Sequence, residues 1–343
     1  MMASEKMFGL TCKHDGFAGT MEGPDIESLE PWLNKAELDV PEPSDGEALV
    51  KVIMASINPS DLHFIKGEYG IPRRAGVPAG FEAVGEVVSA GKGGEGLIGK
   101  RVGFFASGSG AWADYAIADV RTCVPVIDAV RDEDAAALLV NPLTAIGMYD
   151  EATAGDNTCF IMTAAASQLC KLIAGLAKED GTNVISIVRR DEQVEALKQY
   201  GSTHVLNCKS ERFTKDIGGL ISELKPRVML DAVADQVASD VFAAMPRNAR
   251  WIIYGKLSPE PPILHEPGQF IFMNKKVEGF WLSQWMKEKP IEDQIKAGMR
   301  VQELFATGKW KTDVAEVISL RDAHDKLPDA LAGANTGKVM LVP

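Results

Sequence analysis

The sequence predicts an α/β protein with a parallel sheet, on three observations. Strand and helix patterns alternate through its middle, residues 1–136 are rich in strand patterns, and Thr158 to Arg190 carries a complete strand, turn, helix and strand. In that stretch a short apolar run (Cys159 to Met162) passes through small residues (Thr163 to Ser167). Leu169, Leu172, Ile173 and Leu176 follow at helical spacing, and Asn183 to Val188 makes a second apolar run. This is the first unit of a nucleotide-binding, Rossmann-type fold. Its second strand ends in Arg189 and Arg190, where such a fold usually carries an acidic residue for the ribose 2′-hydroxyl of NAD. A guanidinium there suits a 2′-phosphate, because its planar fork pairs with phosphate oxygens, so the cofactor expected is NADPH.

The turn lacks the glycines of the G-x-G-x-x-G fingerprint and reads Ala164-Ala165-Ala166-Ser167-Gln168-Leu169-Cys170. Alanine and serine are the smallest substitutes, and Ser167 and Gln168 stand where a helix N-terminus favours an anion. On this motif alone, a strand–helix–strand unit that binds nothing stays open.

The 343 residues, 46% hydrophobic, suffice for two domains with their own cores. A net charge of −12 argues against nucleic acid or an anionic membrane as partner. No apolar run reaches membrane-spanning length, and the first ten residues lack a signal-peptide core, so a soluble, cytoplasmic protein is expected. Five scattered cysteines without a C-x-x-C suggest neither a disulfide framework nor a zinc cluster.

Taken in order, Ala48 to Met54 alternates as a strand, Ser56 to Gly70 reads as a loop, and Phe81 to Ser89 as a second strand. Gly91 to Gly96 and Gly108 to Gly110 read as surface turns, the latter leading into a strand over Trp112 to Ala118. An acidic helix start at Asp132-Glu133-Asp134 introduces Ala135 to Val140. After Arg190, the pattern predicts helices around Val194 to Leu197 and over Phe213 to Leu224. Further strands are expected at Val205 to Asn207, Val228 to Asp231, Trp251 to Tyr254 and Val277 to Phe280. Ile295 to Phe305 fits a helix stopped by Gly308, and Lys338 to Val342 a closing strand whose place periodicity leaves open.

Several segments together resemble the medium-chain dehydrogenase/reductase superfamily, in its zinc-independent quinone reductase and enoyl-thioester reductase branches. They are Ile57-Asn58-Pro59-Ser60-Asp61 with Gly67-Glu68-Tyr69, Gly80 to Gly85, Asn141 to Ala145, Tyr254-Gly255, Gly279 to Trp285 and Gly337-Lys338-Val339, in the family's order over nearly the whole chain. Gly279 to Trp285 looks most like the mitochondrial-type enoyl-thioester reductases. The resemblance implies a GroES-like β-rich catalytic domain from residues 1–136 and 278–343, a Rossmann NADP-binding domain at 137–277, an active site in the cleft between them, and a homodimer joined through the Rossmann sheet edge.

Zinc-dependent relatives place a cysteine where this chain has Asn58 and a His-Glu pair where it has Phe81-Glu82, so no metal is expected. Hydride transfer then relies on the nicotinamide, with a proton from the protein. Tyr69 matches the tyrosine that enoyl-thioester reductases hold near the reacting group; proton donation and mere pocket lining both stay open. Asn58 is expected to bond the nicotinamide ribose or the substrate oxygen, with a purely local turn role as the alternative. By the same resemblance Thr144 lies near the nicotinamide, Ser167 and Gln168 at the diphosphate, Arg189 and Arg190 at the 2′-phosphate, and Asn207 near adenine. Tyr254 and Gly255 meet ribose or diphosphate, Phe280, Trp281 and Leu282 the nicotinamide side, and Lys338 a phosphate. Trp281 and Trp285, four apart, would share a helix face, as core or as an apolar crevice wall. The function expected is NADPH-dependent reduction of quinones or activated enones. The alternatives are 2-enoyl thioester reduction on CoA or a carrier protein, with Arg73, Arg74, Lys275 and Lys276 as its basic patch, and a redox-inactive NADPH-binding protein.

Overall fold

The computed structural model of the chain describes residues 5–19, 21–106, 109–333 and 337–343, and Gly108 of the expected glycine turn lies outside them. In the first of two units, residues 1–141 and 298–343, strands β1 (Lys6–Cys12) and β2 (Leu33–Asp39) pair antiparallel. A second sheet takes β3 (Glu47–Ser56), β4 (Glu82–Ala90), β5 (Arg101–Phe105), β6 (Tyr115–Asp119) and β7 (Val124–Pro125). The core of this unit gathers Leu10, Leu33, Val50, Ile65, Phe104 and Trp112.

Between β3 and β4 the expected loop contains a helix instead, α1 (Pro59–Lys66). Its start lies in three residues: Asn58 in extended conformation at the N-cap, Pro59 at the first helical position, and Asp61, whose carboxylate accepts the Asn58 N–H at 2.8 Å. Gly67, at φ 80°, ends the helix in the left-handed conformation. The acidic start at Asp132 opens only a single turn, α2 (Asp132–Ala135), and a longer helix, α3 (Val140–Thr153), follows.

The second unit, residues 142–297, holds a six-stranded sheet, parallel throughout. In sequence order it contains β8 (Cys159–Met162), α4 (Gln168–Asp180), β9 (Asn183–Val188), α5 (Glu192–Lys198), β10 (His204–Asn207), α6 (Phe213–Leu224), β11 (Val228–Asp231), α7 (Gln236–Ala244), β12 (Arg250–Ile253), α8 (Gly268–Phe272) and β13 (Lys276–Gly279). Across the sheet the order is β10-β9-β8-β11-β12-β13, the doubly wound Rossmann order with its switch between β8 and β11. All residues of β8 and β11 are buried, as expected of strands covered on both faces. Helix α9 (Leu282–Glu288) follows the last strand, and α10 (Ile291–Ala306) leads to β14 (Val314–Ser319), α11 (Ala323–Gly333) and β15 (Lys338–Val342).

Pairing settles where the tail goes: β15 lies antiparallel to β3 and parallel to β14, in the sheet of the first unit. The two units divide after Asn141 and after Ala297, whereas residues 136 and 277 were expected. Leu138 packs over Gly103 of β5, which holds the earlier boundary back, and β13 spans the later one because its partner is β12.

Close approach dictates one residue of β4. A Cβ on Gly85 would run into the carbonyl of Lys51 and the side chain of Val50 on β3. Gly85→Ala should therefore lower the unfolding free energy by about 2 kcal/mol, read from urea denaturation, because two paired strands must separate to admit one methyl group.

Candidate active and cofactor site

The first unit buries a connected polar cluster at the start of α1. Lys338, 7% exposed, donates from Nζ to Asn58 Oδ1 at 2.6 Å and to the Ile57 carbonyl at 3.0 Å. Asn58 Nδ2 donates to Glu82 Oε1 at 2.9 Å and to Ser56 Oγ at 3.3 Å, and Ser56 Oγ donates to the same Glu82 oxygen at 2.7 Å. Glu82 Oε2 accepts the Leu139 and Val140 N–H groups at 3.1 and 2.9 Å. Ammonium on one side and carboxylate on the other leave a single orientation for the Asn58 amide.

Two of the expected site residues lie in this cluster. Asn58, only 2% exposed, directs its amide nitrogen and its oxygen to partners within the unit. Lys338 likewise is held by Asn58 and Ile57. Burial lowers its pKa, while Glu82 and Asp61 raise it. Sequence reasoning had left Glu82 without a role beyond the absent metal. Its position in Gly80-Phe81-Glu82, two residues after a glycine at φ 91° packed on the Trp112 ring, was the available signal.

Asp61 extends the cluster toward the surface. Its Oδ1 accepts the Phe81 N–H at 2.8 Å, and the Phe81 ring lies 5.1 Å from both Tyr69 and Phe64. Tyr69, half-buried, is thus braced by aromatic contact. Next to it Glu68 accepts from the Glu22 N–H at 2.6 Å and from the His63 ring at 3.0 Å. Burial pushes its pKa up, and these bonds outweigh burial to hold it below the usual range.

In the second unit the predicted cofactor residues gather at the carboxyl ends of the parallel strands. The turn after β8 is carried by Ala164 at φ 46°, a left-handed conformation that usually falls to glycine. Ser167 caps α4, its Oγ accepting the Cys170 N–H at 3.3 Å, and Gln168 opens the first turn. Thr163 Oγ1 bridges the switch point, donating to Asp231 Oδ1 and accepting the Ala232 N–H at 3.0 Å. Asp231, fully buried, also accepts from Val233 N, Ala234 N and Trp251 Nε1. Burial raises its pKa against those bonds.

Arg189 and Arg190 follow β9 and are exposed. Asn207 ends β10 beside Val188, so it lies next to the arginine pair. Its amide donates to Asp191 at 2.8 Å and its oxygen accepts the Lys209 N–H at 2.9 Å. Tyr254 directs its hydroxyl to Cys170 Sγ at 3.3 Å, and burial raises it well above the ordinary phenol range. A Cβ on Gly255 would press on the Ala232 backbone at 2.7 Å, so this strand end approaches the switch point closely. Thr144 is buried on α3; Phe280 and Trp285 close on Gly147 of that helix, within 3.0 Å of where a Cβ would sit, while Trp281 is 38% exposed and Leu282 opens α9. A helix N-terminus, a tight turn at the switch point and two cations at the β9 end fit a dinucleotide with a 2′-phosphate.

Among the described residues, no group of three or more His, Cys, Asp and Glu side chains is placed to hold a metal. Of the four cations offered as a basic patch for CoA, Arg74 and Lys276 are exposed, whereas Arg73 and Lys275 are buried. Arg73 is buried and donates to Ile65 and Gly16 carbonyls, and Lys275 donates to Phe242, Ala243 and Gln269 with its pKa lowered by burial to about 8.

The alcohol dehydrogenase GroES-like domain family matches residues 44–128, and the zinc-binding dehydrogenase family matches residues 170–297. A crystal structure of a Mesorhizobium loti protein assigned as an NADPH:quinone reductase is 46% identical, covers 100% of both chains and superposes with a TM-score of 0.95. The chain belongs to the medium-chain dehydrogenase/reductase superfamily. Within that superfamily it falls in the zinc-independent quinone reductase and enoyl-thioester reductase branch. The mitochondrial enoyl-[acyl-carrier-protein] reductase of Dictyostelium discoideum is 30% identical over 71% of this chain and 72% of its own length. The Candida tropicalis mitochondrial 2-enoyl thioester reductase heterodimer, 20% identical over 99% of this chain and 100% of its own, shares the superfamily fold at a TM-score of 0.80.

Asp61 gives this superfamily member a measurable pH signature. Burial raises its pKa from 3.8 to about 7, against the pull of the Asn58 and Phe81 N–H bonds. A carboxyl raised in the folded state contributes stability that is full below about pH 4 and disappears as pH rises through about 7. Urea unfolding should show wild type losing about 1.4 kcal/mol per pH unit across that window relative to Asp61→Asn. Parallel pH profiles would place the proton elsewhere.

Proposed function

We propose that this protein reduces a quinone or activated enone with NADPH, without zinc. It is an NADPH-dependent oxidoreductase of its superfamily, and full-length similarity at 46% identity to the Mesorhizobium loti protein assigned as an NADPH:quinone reductase carries the reading. When bound, NADPH supplies the hydride. The α4 N-terminus, with Ser167 and Gln168, would hold its diphosphate, and Arg189 and Arg190 its 2′-phosphate. Thr144, Phe280, Trp281 and Leu282 remain the proposed wall on the nicotinamide side.

Reduction of a quinone or enone adds hydride at one end of a conjugated system and needs a proton at the other. Tyr69 is the residue proposed to bond or protonate the substrate oxygen, since the Asn58 amide faces inward and the Phe81 ring braces the phenol. The second reading, 2-enoyl thioester reduction, is favoured by the 30% identity to the Dictyostelium enoyl reductase. Burial of Arg73 and Lys275 weighs against it, because it leaves only Arg74 and Lys276 of the four offered cations exposed to a CoA or carrier phosphate.

The compartment proposed is the cytoplasm, consistent with five free cysteines. No helix among the described residues is long and apolar enough to cross a membrane. The assembly proposed is a homodimer joined along β13, the last strand of its sheet, beside which Ile271, Phe272 and Val277 are exposed.

NADPH oxidation followed at 340 nm should be faster with a small para-quinone than with a short trans-2-enoyl-CoA. The reverse order moves the protein to thioester chemistry, and NADPH binding without turnover of either moves it to a redox-inactive binding role. Replacing Arg189 and Arg190 together by Gln should weaken NADPH at least about tenfold and leave NADH nearly unchanged, by fluorescence titration. Tyr69→Phe should lower kcat about 100-fold if the phenol is the proton donor, and undiminished turnover reduces it to pocket lining. In sedimentation velocity, Phe272→Asp should shift the dimer to monomer.

A further inference from the structure

The loop that carries Tyr69 is held with unusual care for a surface segment. Three charged side chains are buried beneath it: Lys66, Glu68 and Arg73, at 4%, 8% and 6% exposure. Lys66 donates to the Gly23 carbonyl at 3.0 Å and to the Asp25 carbonyl, and Glu68 accepts the Glu22 and Gly23 N–H groups. Arg73 donates to the carbonyls of Gly16 and Ile65. Backbone bonds add to these, Gly16 N to Arg73 O at 3.0 Å and Ala18 N to Gly67 O at 2.8 Å. Taking three charges out of water is costly unless each finds hydrogen-bond partners, which all three do here.

What the bonds hold in place is apolar and faces water. Residues 16–18 are fixed against Gly67 and Arg73, so Phe17, 60% exposed, lies along the segment that carries Tyr69 and Ile71, the latter 39% exposed. Met21, 52% exposed, precedes the two residues tied to Glu68. Lys66, Glu68 and Arg73 point inward to backbone carbonyls and N–H groups, Arg74 is exposed at the end of the loop, and Phe17, Met21 and Ile71 leave apolar side chains at its rim.

We infer that Phe17 and Ile71 form an apolar lip beside Tyr69 that seats a hydrocarbon substituent on the substrate, so that the protein selects alkyl- or prenyl-bearing quinones or enones over unsubstituted ones. The inference rests on the reductase reading above and adds a substrate class to it. Seating such a chain removes part of two large side chains from water, and a hydrophobic contact of that size changes specificity by about 10- to 100-fold.

The test compares kcat/KM for a decyl-substituted para-benzoquinone with that for unsubstituted para-benzoquinone, in wild type and in Phe17→Ser, Ile71→Ser and the double variant. Both side chains are exposed, so the variants should fold, which circular dichroism verifies. Wild type should favour the decyl compound at least about tenfold. Each substitution should cut that ratio several-fold, and the double variant should abolish the preference. Ile98→Ser, at a 50% exposed position after the turn following β4, should leave the ratio within about twofold. A wild-type ratio near one, variant ratios equal to wild type, or an equal fall in the Ile98 variant would overturn the lip while leaving the reductase standing. Reduction of neither quinone by wild type would remove the reductase reading and the lip with it.

Discussion

A buried lysine near the end of the chain organises the first unit. Lys338 opens β15, and its ammonium reaches the carbonyl of Ile57 and the side chain of Asn58, where β3 gives way to α1. Through Asn58 it is linked to Glu82, and through Glu82 to the N–H groups that precede and begin α3. Four segments far apart in sequence are joined by one buried cation and one buried carboxylate. Each member satisfies the others, and such a network is rigid because removing any partner strands a buried charge.

That network also explains how the chain manages where zinc relatives have metal ligands. The carboxylate remains as Glu82, and the cysteine and histidine positions are Asn58 and Phe81. Glu82 meets an amide, a hydroxyl and two backbone N–H groups, so its charge is compensated by hydrogen bonds. Phe81 then serves a different purpose, its ring bracing Tyr69 and its N–H bound to Asp61. The result is a phenol braced by a ring whose backbone is held by a buried carboxyl group.

The second unit rests on a comparable lock at the switch point of its sheet. Thr163 and Asp231 join the ends of β8 and β11, and Trp251 adds a bond from β12. With three strand ends held together, the turn at Ala164 can occupy a left-handed conformation without glycine, the strain of about 1 kcal/mol being offset by the surrounding bonds. This accounts for a Rossmann turn that has lost its fingerprint while keeping its geometry.

The sequence by itself determined the strands and helices of the second unit from β8 to β11, because apolar runs and 3.6-residue spacing follow directly from local burial. It also determined that cations end β9. The helix after Asn58 was equally legible, since an N-cap asparagine, a proline and an aspartate three residues on are a local signature, yet it reads as a loop when proline and polar residues are weighed by composition alone. Only the tertiary structure decided what Asn58, Lys338, Arg73 and Lys275 do. Their side chains reach partners that lie up to 281 residues away, or bend back to carbonyls, and a sequence shows a charge without showing what it faces. Pairing of β15 with β3, which places the tail in the first unit, was decided in the same way, because strand partners are a property of the folded sheet and leave no periodicity of their own.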